Sequence, residues 1–220
     1  MDKLRPYQDR DLKNIEEAFK TTNAVLYQAP TGSGKSVVLE KIILKYQKEK
    51  LLILVHKREL VFQLRRRLEA SGLKVGIIIG SMVENLDSNI IIASIRTVTL
   101  DKRIDTILEK NFDKLFIDEA HHTRTSSYEN VLDKYLIQNK DHKLLGLTAT
   151  PYRKDKKPLN KYYKTLICSD SIDSLQKQGY LAKYKVFYTP TPEIDEEVEG
   201  SSTEYQIQSL SNYMRKPEML

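Results

Sequence analysis

The stretch NAVLYQAPTGSGKS, residues 23–36, decides the fold of this 220-residue chain. It joins a short apolar run to a glycine-rich turn and to the first residues of a helical pattern. The apolar runs of the chain lie at 23–28, 51–55, 75–79, 89–94, 114–118 and 142–148. Because they are continuously apolar rather than alternating, they are typical of parallel strands that are covered on both faces. The sequence therefore predicts an α/β fold, a doubly wound, mostly parallel sheet with helices on both faces.

The turn at 29–36 has the features of a phosphate-binding loop, a Walker A pattern with Ala29 at its first glycine position. Gly32 and Gly34 let the backbone curl so that successive N–H groups face one anion, and the following helix directs its positive end there. Lys35 can reach the β- and γ-phosphates, and the Ser36 hydroxyl is a hard oxygen ligand for Mg²⁺. The predicted nucleotide-binding residues of this loop are Pro30, Thr31, Gly32, Ser33, Gly34, Lys35 and Ser36.

Two adjacent carboxylates end one of the apolar runs. The run KLFID (114–118) places Asp118 at the carboxyl end of a buried strand, with Glu119 next. Ligands of an open α/β sheet lie outside these ends, so Asp118 should face the phosphate loop and hold Mg²⁺. Glu119 can then orient and deprotonate an attacking water. His121 and His122 follow, but adjacent histidines diverge and no further His or Cys is suitably spaced, so a zinc site is not expected.

Composition narrows the class of protein. A single cysteine, Cys168, excludes an intramolecular disulfide framework and a cysteine-cluster metal site. The longest aliphatic runs are far shorter than the roughly 20 residues that span a bilayer, and the charged N-terminus has no secretory pattern. We therefore expect a cytoplasmic protein (or one of a host cytoplasm or nucleus) that is neither secreted nor bound to a membrane. The net charge of +6 is compatible with a polyanionic partner but does not identify one.

Over residues 1–190 the chain resembles the superfamily 2 helicases and translocases of the DEAH type. The resemblance is carried by several short segments in the family's order. They are LRPYQ (4–8, adenine recognition), APTGSGKS (29–36, motif I), LVHKRELVFQ (54–63, motif Ia), ASIRTV (93–98, motifs Ib/Ic), DEAH (118–121, motif II) and TAT (148–150, motif III). The DEAHH and RPYQ wording is nearer the XPB-like, type III restriction-motor and phage helicase branch than the spliceosomal branch. The implied domain is a RecA-like P-loop NTPase that uses ATP and Mg²⁺.

The resemblance also implies roles for individual residues. Arg5 and Gln8 would contact the adenine base, and Thr148 and Thr150 of motif III would couple the nucleotide state to the grip on nucleic acid. Motif II adds His121 to the site. The implied catalytic residues are Lys35, Asp118, Glu119 and His121, and the implied Mg²⁺ ligands are Ser36 and Asp118.

A set of polar residues follows the predicted strands at the carboxyl edge of the sheet, where side chains and backbone N–H groups can meet phosphates. The predicted nucleic-acid contacts are His56, Lys57, Arg58, Ser94, Arg96, Thr97 and Arg153. Contacts to phosphate predict little base specificity and a strong dependence on salt. Nucleic acid is therefore the expected partner, with DNA favoured over RNA. By contrast, the run 65–67, three arginines, is expected to be a solvated helix face.

The family's motor contains two RecA-like domains with ATP between them, and the second supplies arginine fingers. We expect residues 1–190 to form the first domain. Residues 191–220, with two basic and seven acidic side chains, would be an acidic linker and the start of a connector. The second domain would lie in cis beyond Leu220 or in trans. The isolated fragment should therefore bind ATP yet hydrolyse it poorly.

Three functions compete at this point. The leading interpretation is the N-terminal motor domain of an ATP-dependent helicase or translocase, including the motor of a restriction-type translocase. The alternative is a nucleotide-gated nucleic-acid-binding module without turnover of its own. A P-loop kinase for small molecules is disfavoured, because the TAT segment and the basic residues after it would have no role.

Overall fold

An eight-stranded sheet forms the centre of this computed structural model, which describes residues 3–99, 103–138, 141, 143–151 and 159–185. In chain order the strands are β1 (Ala24–Gln28), β2 (Leu51–Val55), β3 (Val75–Ile79), β4 (Met82–Glu84), β5 (Ile90–Ser94), β6 (Lys114–Asp118), β7 (Lys143–Thr148) and β8 (Thr165–Cys168). Their spatial order is β4-β3-β5-β2-β6-β7-β1-β8. All neighbouring strands of this sheet are parallel except β3 and β4. The predicted mostly parallel sheet is confirmed.

Helices cover both faces of the sheet. They are α1 (Pro6–Thr21), α2 (Lys35–Lys45), α3 (Arg58–Ala70), α4 (Ile95–Val98), α5 (Arg103–Leu108), α6 (Ser126–Gln138) and α7 (Ile172–Lys177), with 3₁₀ turns at Ala120–Arg124 and Leu159–Lys161. One apolar core packs α1, α2 and α3 against the sheet, and a second packs α4, α5 and α6 against the opposite face. Within the described ranges, none of these helices has the length and apolar character needed to cross a membrane.

The burial of the central strands explains why polar and apolar residues do not alternate in their sequences. All five residues of β2 and of β5 are buried, and successive side chains enter the two cores in turn. Leu52 and Leu54 enter one core, whereas Ile53 and Val55 enter the other. Burying one such side chain contributes about 1.5–3 kcal/mol, so every position of these strands that enters a core is apolar. Ser94, the last residue of β5, is buried but belongs to neither core.

Two strands, β4 and β8, were not predicted from the apolar runs of the sequence. In β8, which pairs with β1, half-buried and exposed residues alternate, and Leu166 is 49% exposed. In β4, three residues complete a short antiparallel hairpin with β3. Both are too short or too exposed to produce a continuous apolar run. Residues 171–179, SIDSLQKQG, begin with a serine and end with a glycine, a pattern that predicts a short helix. The helix α7 forms there, and the Ser171 side chain accepts the Ser174 N–H at 3.1 Å.

Part of the expected organisation lies outside the described residues. The chain divides into two units, Met1–Lys183 and Tyr184–Leu220, and the sheet belongs to the first. The run YKVFYT, residues 184–189, has the composition of a further strand, but only residues 184 and 185 are described, and neither is in a strand. The predicted acidic linker, residues 191–220, lies outside the described residues altogether, so this assignment stays a prediction.

Candidate nucleotide-binding site

The site lies where three neighbouring strands end at one edge of the sheet. The strand β7 lies between β1 and β6, with Gln28 opposite Thr148 and Asp118 opposite Leu147. The Ala29 N–H donates to the Thr148 carbonyl at 3.0 Å, which continues the ladder into the phosphate loop. Two strand spacings, about 10 Å, therefore separate the start of the phosphate loop from the acidic strand end.

The phosphate loop is shaped by two glycines with positive φ angles. Gly32 has φ +81° and Gly34 has φ +86°, which only glycine adopts without strain. Between them, Ser33 is buried, and its carbonyl accepts the Gln8 side-chain amide at 2.9 Å as well as the Tyr7 hydroxyl. A Cβ atom on Gly34 would lie 2.5 Å from Gln8 Nε2. The first turn of α1 and the loop are thus packed together with no room for a larger residue.

Lys35 is the cation of this site. Its Nζ donates to the Ala29 carbonyl at 3.2 Å. Burial lowers the pKa of Lys35, and the carboxylates of Glu119 and Asp118 oppose that shift. The amine and the two carboxylates therefore lie close enough to interact electrostatically, as the positions of their strands predicted.

Asp118 and Ser36 line the same cleft beside the loop. Burial raises the pKa of Asp118, and repulsion from Glu119 acts in the same direction. The Asp118 carboxylate also accepts the Glu119 N–H at 3.0 Å. The set of donors, a hydroxyl and a carboxylate, is the kind that Mg²⁺ prefers. Arg67 lines this cleft too, so the arginine run at 65–67 is not solely the solvated helix face that its sequence predicted.

The carboxylate of Glu119, the predicted general base, is linked to the TAT segment through one histidine. Glu119 has φ +54°, and its Oε2 lies 3.3 Å from Nδ1 of His121. The same Nδ1 lies 3.1 Å from the Thr148 hydroxyl, which donates to the Thr150 carbonyl at 3.0 Å. Because a hydroxyl has one proton, the Thr148 oxygen must accept from His121. We therefore assign a proton to Nδ1 of His121, which donates it to Thr148 and lies within ion-pair distance of Glu119.

The predicted adenine contacts lie under a segment that sequence reasoning missed. The Arg5 guanidinium donates to the Tyr180 carbonyl at 3.3 Å and lies 5.1 Å from the centre of the Tyr180 ring. Next to it, Leu181 Cδ2 lies 3.2 Å from where a Cβ on Gly32 would stand. Gln8 lies beneath the loop, as described above. The residues after α7 thus cover the phosphate loop, and no local motif marked them.

Four of the predicted nucleic-acid residues are accessible at the same edge of the sheet. Lys57, Arg58 and Arg96 are exposed, and His56 is half-buried. Lys57 is the N-cap residue of α3 and Arg58 is its first residue, just after β2, whereas Arg96 is the second residue of α4, which follows β5. Because β2 and β5 are neighbours, these cations share one surface.

Two other residues of that set point inward. Ser94 is 5% exposed and Thr97 is 4% exposed. The Thr97 hydroxyl accepts the Gly80 N–H at 2.7 Å, so it already serves the fold. Arg153 lies outside the described residues. The roles assigned to these residues on nucleic acid remain predictions.

A ring stack beside the site was also missed. The imidazoles of His56 and His122 are stacked, with centroids 4.6 Å apart and planes at 18°. The ring of His122 also lies near that of Tyr128, with centroids 6.3 Å apart and planes at 17°. The adjacent histidines His121 and His122 were the only local signal in the sequence. The stacking partner, His56, follows a strand far away in the chain, so the stack could not be predicted from a local pattern.

Comparison with known proteins gives one family and several relatives. The family model described as "Type III restriction enzyme, res subunit" matches residues 1–153. A Saccharomyces cerevisiae protein named "Putative ATP-dependent helicase IRC3" is 30% identical over 235 residues, covering 98% of this chain and 33% of the relative. A Halobacterium salinarum protein named "Putative DNA 3'-5' helicase Rad25" is 30% identical over 203 residues, covering 89% of this chain and 32% of the relative. The chain thus spans about a third of the length of these relatives.

Solved structures share the architecture at lower identity. A nuclease-deletion mutant of the Type ISP restriction-modification enzyme LlaGI, in complex with a DNA substrate mimic, has a TM-score of 0.63 at 16% identity, covering 81% of this chain and 21% of that one. The Pyrococcus furiosus Hef helicase domain has a TM-score of 0.59 at 19% identity, covering 75% of this chain and 37% of that one. These matches confirm the predicted fold, and the sequence relatives confirm the helicase-type resemblance.

Proposed function

The chain belongs to the family of the Type III restriction enzyme res subunit, and on that premise we propose that it is an ATP-hydrolysing motor domain that acts on nucleic acid. The observation that carries the proposal is the convergence of Lys35, Asp118 and Glu119 at one edge of the sheet. A triphosphate brings negative charge, and this is where the loop N–H groups, the positive end of α2 and the Lys35 amine can meet it.

The residues of the loop bind and orient the triphosphate. Gly32 and Gly34 turn backbone N–H groups toward the phosphates, and Lys35 exchanges its contact with the Ala29 carbonyl for the β- and γ-phosphate oxygens. Ser36 and Asp118 are the residues that would hold Mg²⁺. When bound, the metal neutralises charge on the phosphate oxygens.

Glu119 is the proposed general base. Its carboxylate lies next to Asp118 in sequence but is paired with a different group, the imidazole of His121. That contact keeps the carboxylate facing the site, where it can orient a water for attack on the γ-phosphate and accept its proton. Because His121 also contacts Thr148, a shift in motif III would alter how firmly Glu119 is held.

The proposed substrate track is the cationic surface formed by Lys57, Arg58 and Arg96. One relative is named as a DNA helicase, which supports DNA over RNA. A second RecA-like domain, in cis or in trans, would complete the site with arginine fingers, which contribute about 10³–10⁵ in turnover. Residues 1–220 alone should therefore bind ATP but hydrolyse it near the background rate.

Two substitutions in the full-length protein test the roles at the site. Lys35→Ala should abolish ATP binding and turnover, because the loop loses its cation. Glu119→Gln keeps the shape and removes the base, so it should leave nucleotide affinity unchanged and stop hydrolysis. Binding is measured with a fluorescent ATP analogue. Turnover is measured as phosphate release with single-stranded and duplex DNA and RNA as stimulants.

Three results would contradict the proposal. Equal loss of nucleotide affinity in both variants would refute the separate roles of Lys35 and Glu119. Robust stimulated turnover by residues 1–220 alone would refute the need for a second domain. Nucleotide-dependent binding of nucleic acid without turnover in the full-length protein would favour the alternative, a nucleotide-gated binding module.

A further inference from the structure

A planar cation and two aromatic rings lie together beside the phosphate loop. The guanidinium carbon of Arg5 lies over the ring of Tyr180, 5.1 Å from its centroid. The rings of Tyr7 and Tyr180 have centroids 5.3 Å apart and planes tilted by 56°. The Arg5 guanidinium also donates to the Tyr7 hydroxyl at 3.4 Å. We call these three side chains the guanidinium platform.

The guanidinium platform is attached to the phosphate loop at two points. The buried Tyr7 donates its hydroxyl proton to the Ser33 carbonyl at the centre of the loop. Leu181 follows Tyr180 in the chain, and its Cδ2 lies 3.2 Å from where a Cβ on Gly32 would stand. The platform therefore adjoins the loop that would hold the phosphates of a nucleotide.

The turn that ends α7 fixes the position of Tyr180. Gly179 has φ +75°, the left-handed conformation that commonly ends a helix. The N–H groups of Tyr180 and Leu181 both donate to the Leu175 carbonyl, at 2.8 Å and 3.1 Å. Leu175 is fully buried, so this turn is anchored to a packed part of α7. The fold itself therefore presents the Tyr180 ring and carbonyl to Arg5.

Arg5 has donors to spare for a ligand. Among the described residues, its guanidinium donates only from Nη1, to the Tyr7 hydroxyl and to the Tyr180 carbonyl at 3.3 Å. A guanidinium has five N–H donors in one plane, so the donors of Nε and Nη2 remain available. Such a plane stacks on planar rings and donates hydrogen bonds along its edge. A nucleobase is the part of a nucleotide that suits this chemistry, because the phosphates belong to the loop.

We propose that Tyr180 is a positioning residue, which holds the Arg5 guanidinium ready for the base of the bound nucleotide. The proposal rests on the proposed function, in which the neighbouring loop holds the triphosphate. An arginine that moves freely in solvent loses side-chain freedom when it binds a ligand, which weakens binding by about two- to twelvefold. The ring and carbonyl of Tyr180 restrict Arg5 in advance, so the nucleotide does not bear that cost. Tyr180 therefore raises the affinity for the base without needing to contact it.

The first experiment separates the base from the phosphates. The dissociation constants of ATP and of inorganic tripolyphosphate, each with Mg²⁺, are measured by isothermal titration calorimetry on the full-length protein. Tyr180→Ala should weaken ATP binding about fivefold and leave tripolyphosphate binding unchanged, because tripolyphosphate has no base. Tyr180→Phe keeps the ring and should bind ATP as the wild type does. Tyr184→Ala removes the same side chain from a residue that is 68% exposed and outside the platform, so it should change neither constant.

The second experiment tests whether Tyr180 acts through Arg5, by a double-mutant cycle on ATP affinity. Arg5→Ala should weaken ATP binding more than Tyr180→Ala does, because it also removes the donors. Adding Tyr180→Ala to Arg5→Ala should have no further effect, since the group that Tyr180 positions is already gone. Arg5→Lys keeps the charge but loses the planar group, so it should recover little of the affinity.

The outcomes separate this proposal from the one on which it rests. Failure of the wild-type protein to bind either ATP or tripolyphosphate overturns both. Normal ATP binding that is unchanged in Tyr180→Ala overturns the role of Tyr180 alone. Equal losses for ATP and tripolyphosphate in Tyr180→Ala show that the segment only supports the loop, which also overturns that role. Additive losses in the double variant overturn action through Arg5. If Tyr180→Ala does not fold, Tyr180→Leu, which keeps an apolar side chain but no ring, decides between the same outcomes.

Discussion

Replacing Thr148 by valine removes one hydroxyl from the contact between motifs II and III while keeping the shape of the side chain. Thr148 is fully buried, and its oxygen contacts His121 Nδ1, the Thr150 carbonyl and the Thr150 N–H, the last at 3.1 Å. The Thr150 groups are exposed and can bind water instead. The main loss is therefore the acceptor for the His121 N–H.

The size of the effect follows from these contacts. Loss of the hydrogen bond between His121 and Thr148, with the cost of keeping the His121 N–H away from water, should lower the free energy of unfolding by about 1–2 kcal/mol. Without the Thr148 oxygen as an acceptor, the His121 N–H should turn toward the Glu119 carboxylate and hold it more firmly. A charge-assisted bond stronger by about 1.4 kcal/mol would make the base less available and lower kcat about tenfold.

Thr148→Ser is the matched variant. It keeps the hydroxyl and loses one buried methyl group, which costs about 1 kcal/mol. Urea unfolding should therefore show similar losses of stability for valine and serine, whereas stimulated ATP turnover should fall only for valine. Equal effects of the two variants on kcat would refute the idea that the Thr148 hydroxyl governs Glu119 through His121.

The remaining predictions concern the loop and the acidic strand end. Gly34→Ala should cost more unfolding free energy than Gly72→Ala and should weaken ATP binding. Both glycines have positive φ, so either substitution should cost about 1–2 kcal/mol of unfolding free energy from backbone strain. Only the new Cβ at position 34 meets a neighbour, Gln8. Equal losses of unfolding free energy in the two variants would contradict this packing. Burial raises the pKa of Asp118, so the unliganded protein loses stability as pH rises through that pKa. Asp118→Asn should therefore melt higher than wild type at pH 7–8, with a gap that narrows toward about pH 4; a gap independent of pH would show that ionisation is not the cause.

The fold was largely predictable because most of its strands are central. A strand such as Leu51–Val55, buried on both faces, must be apolar throughout, and that pattern is visible without a structure. The edge strand Thr165–Cys168 has no such constraint, since alternate residues reach solvent. Its place beside β1 depends on pairing with a strand far away in the chain, which no local pattern encodes.

The residues of the candidate site likewise fall into those with a local sequence signal and those without one. The positions of Lys35, Asp118 and Glu119 were predictable, because each stands at the end of a strand, just after one, or beside a loop whose glycines mark it. Tyr180 and Leu181 cover the phosphate loop from a distant segment, so only the folded chain brings them there. The inward position of Thr97 was likewise hidden, because its partner is the Gly80 backbone N–H and not a side chain.

The insertion of β7 between β1 and β6 limits how the molecule can move. A strand that is hydrogen-bonded on both sides cannot slide or tilt without breaking two ladders at once. The backbone itself therefore fixes the distance between the phosphate loop and the carboxylates of Asp118 and Glu119. A rearrangement around the candidate site would then occur in the turns beyond the strand ends. The sheet is expected to stay rigid, and conformational change is expected in the short segments that follow the carboxyl ends of its strands.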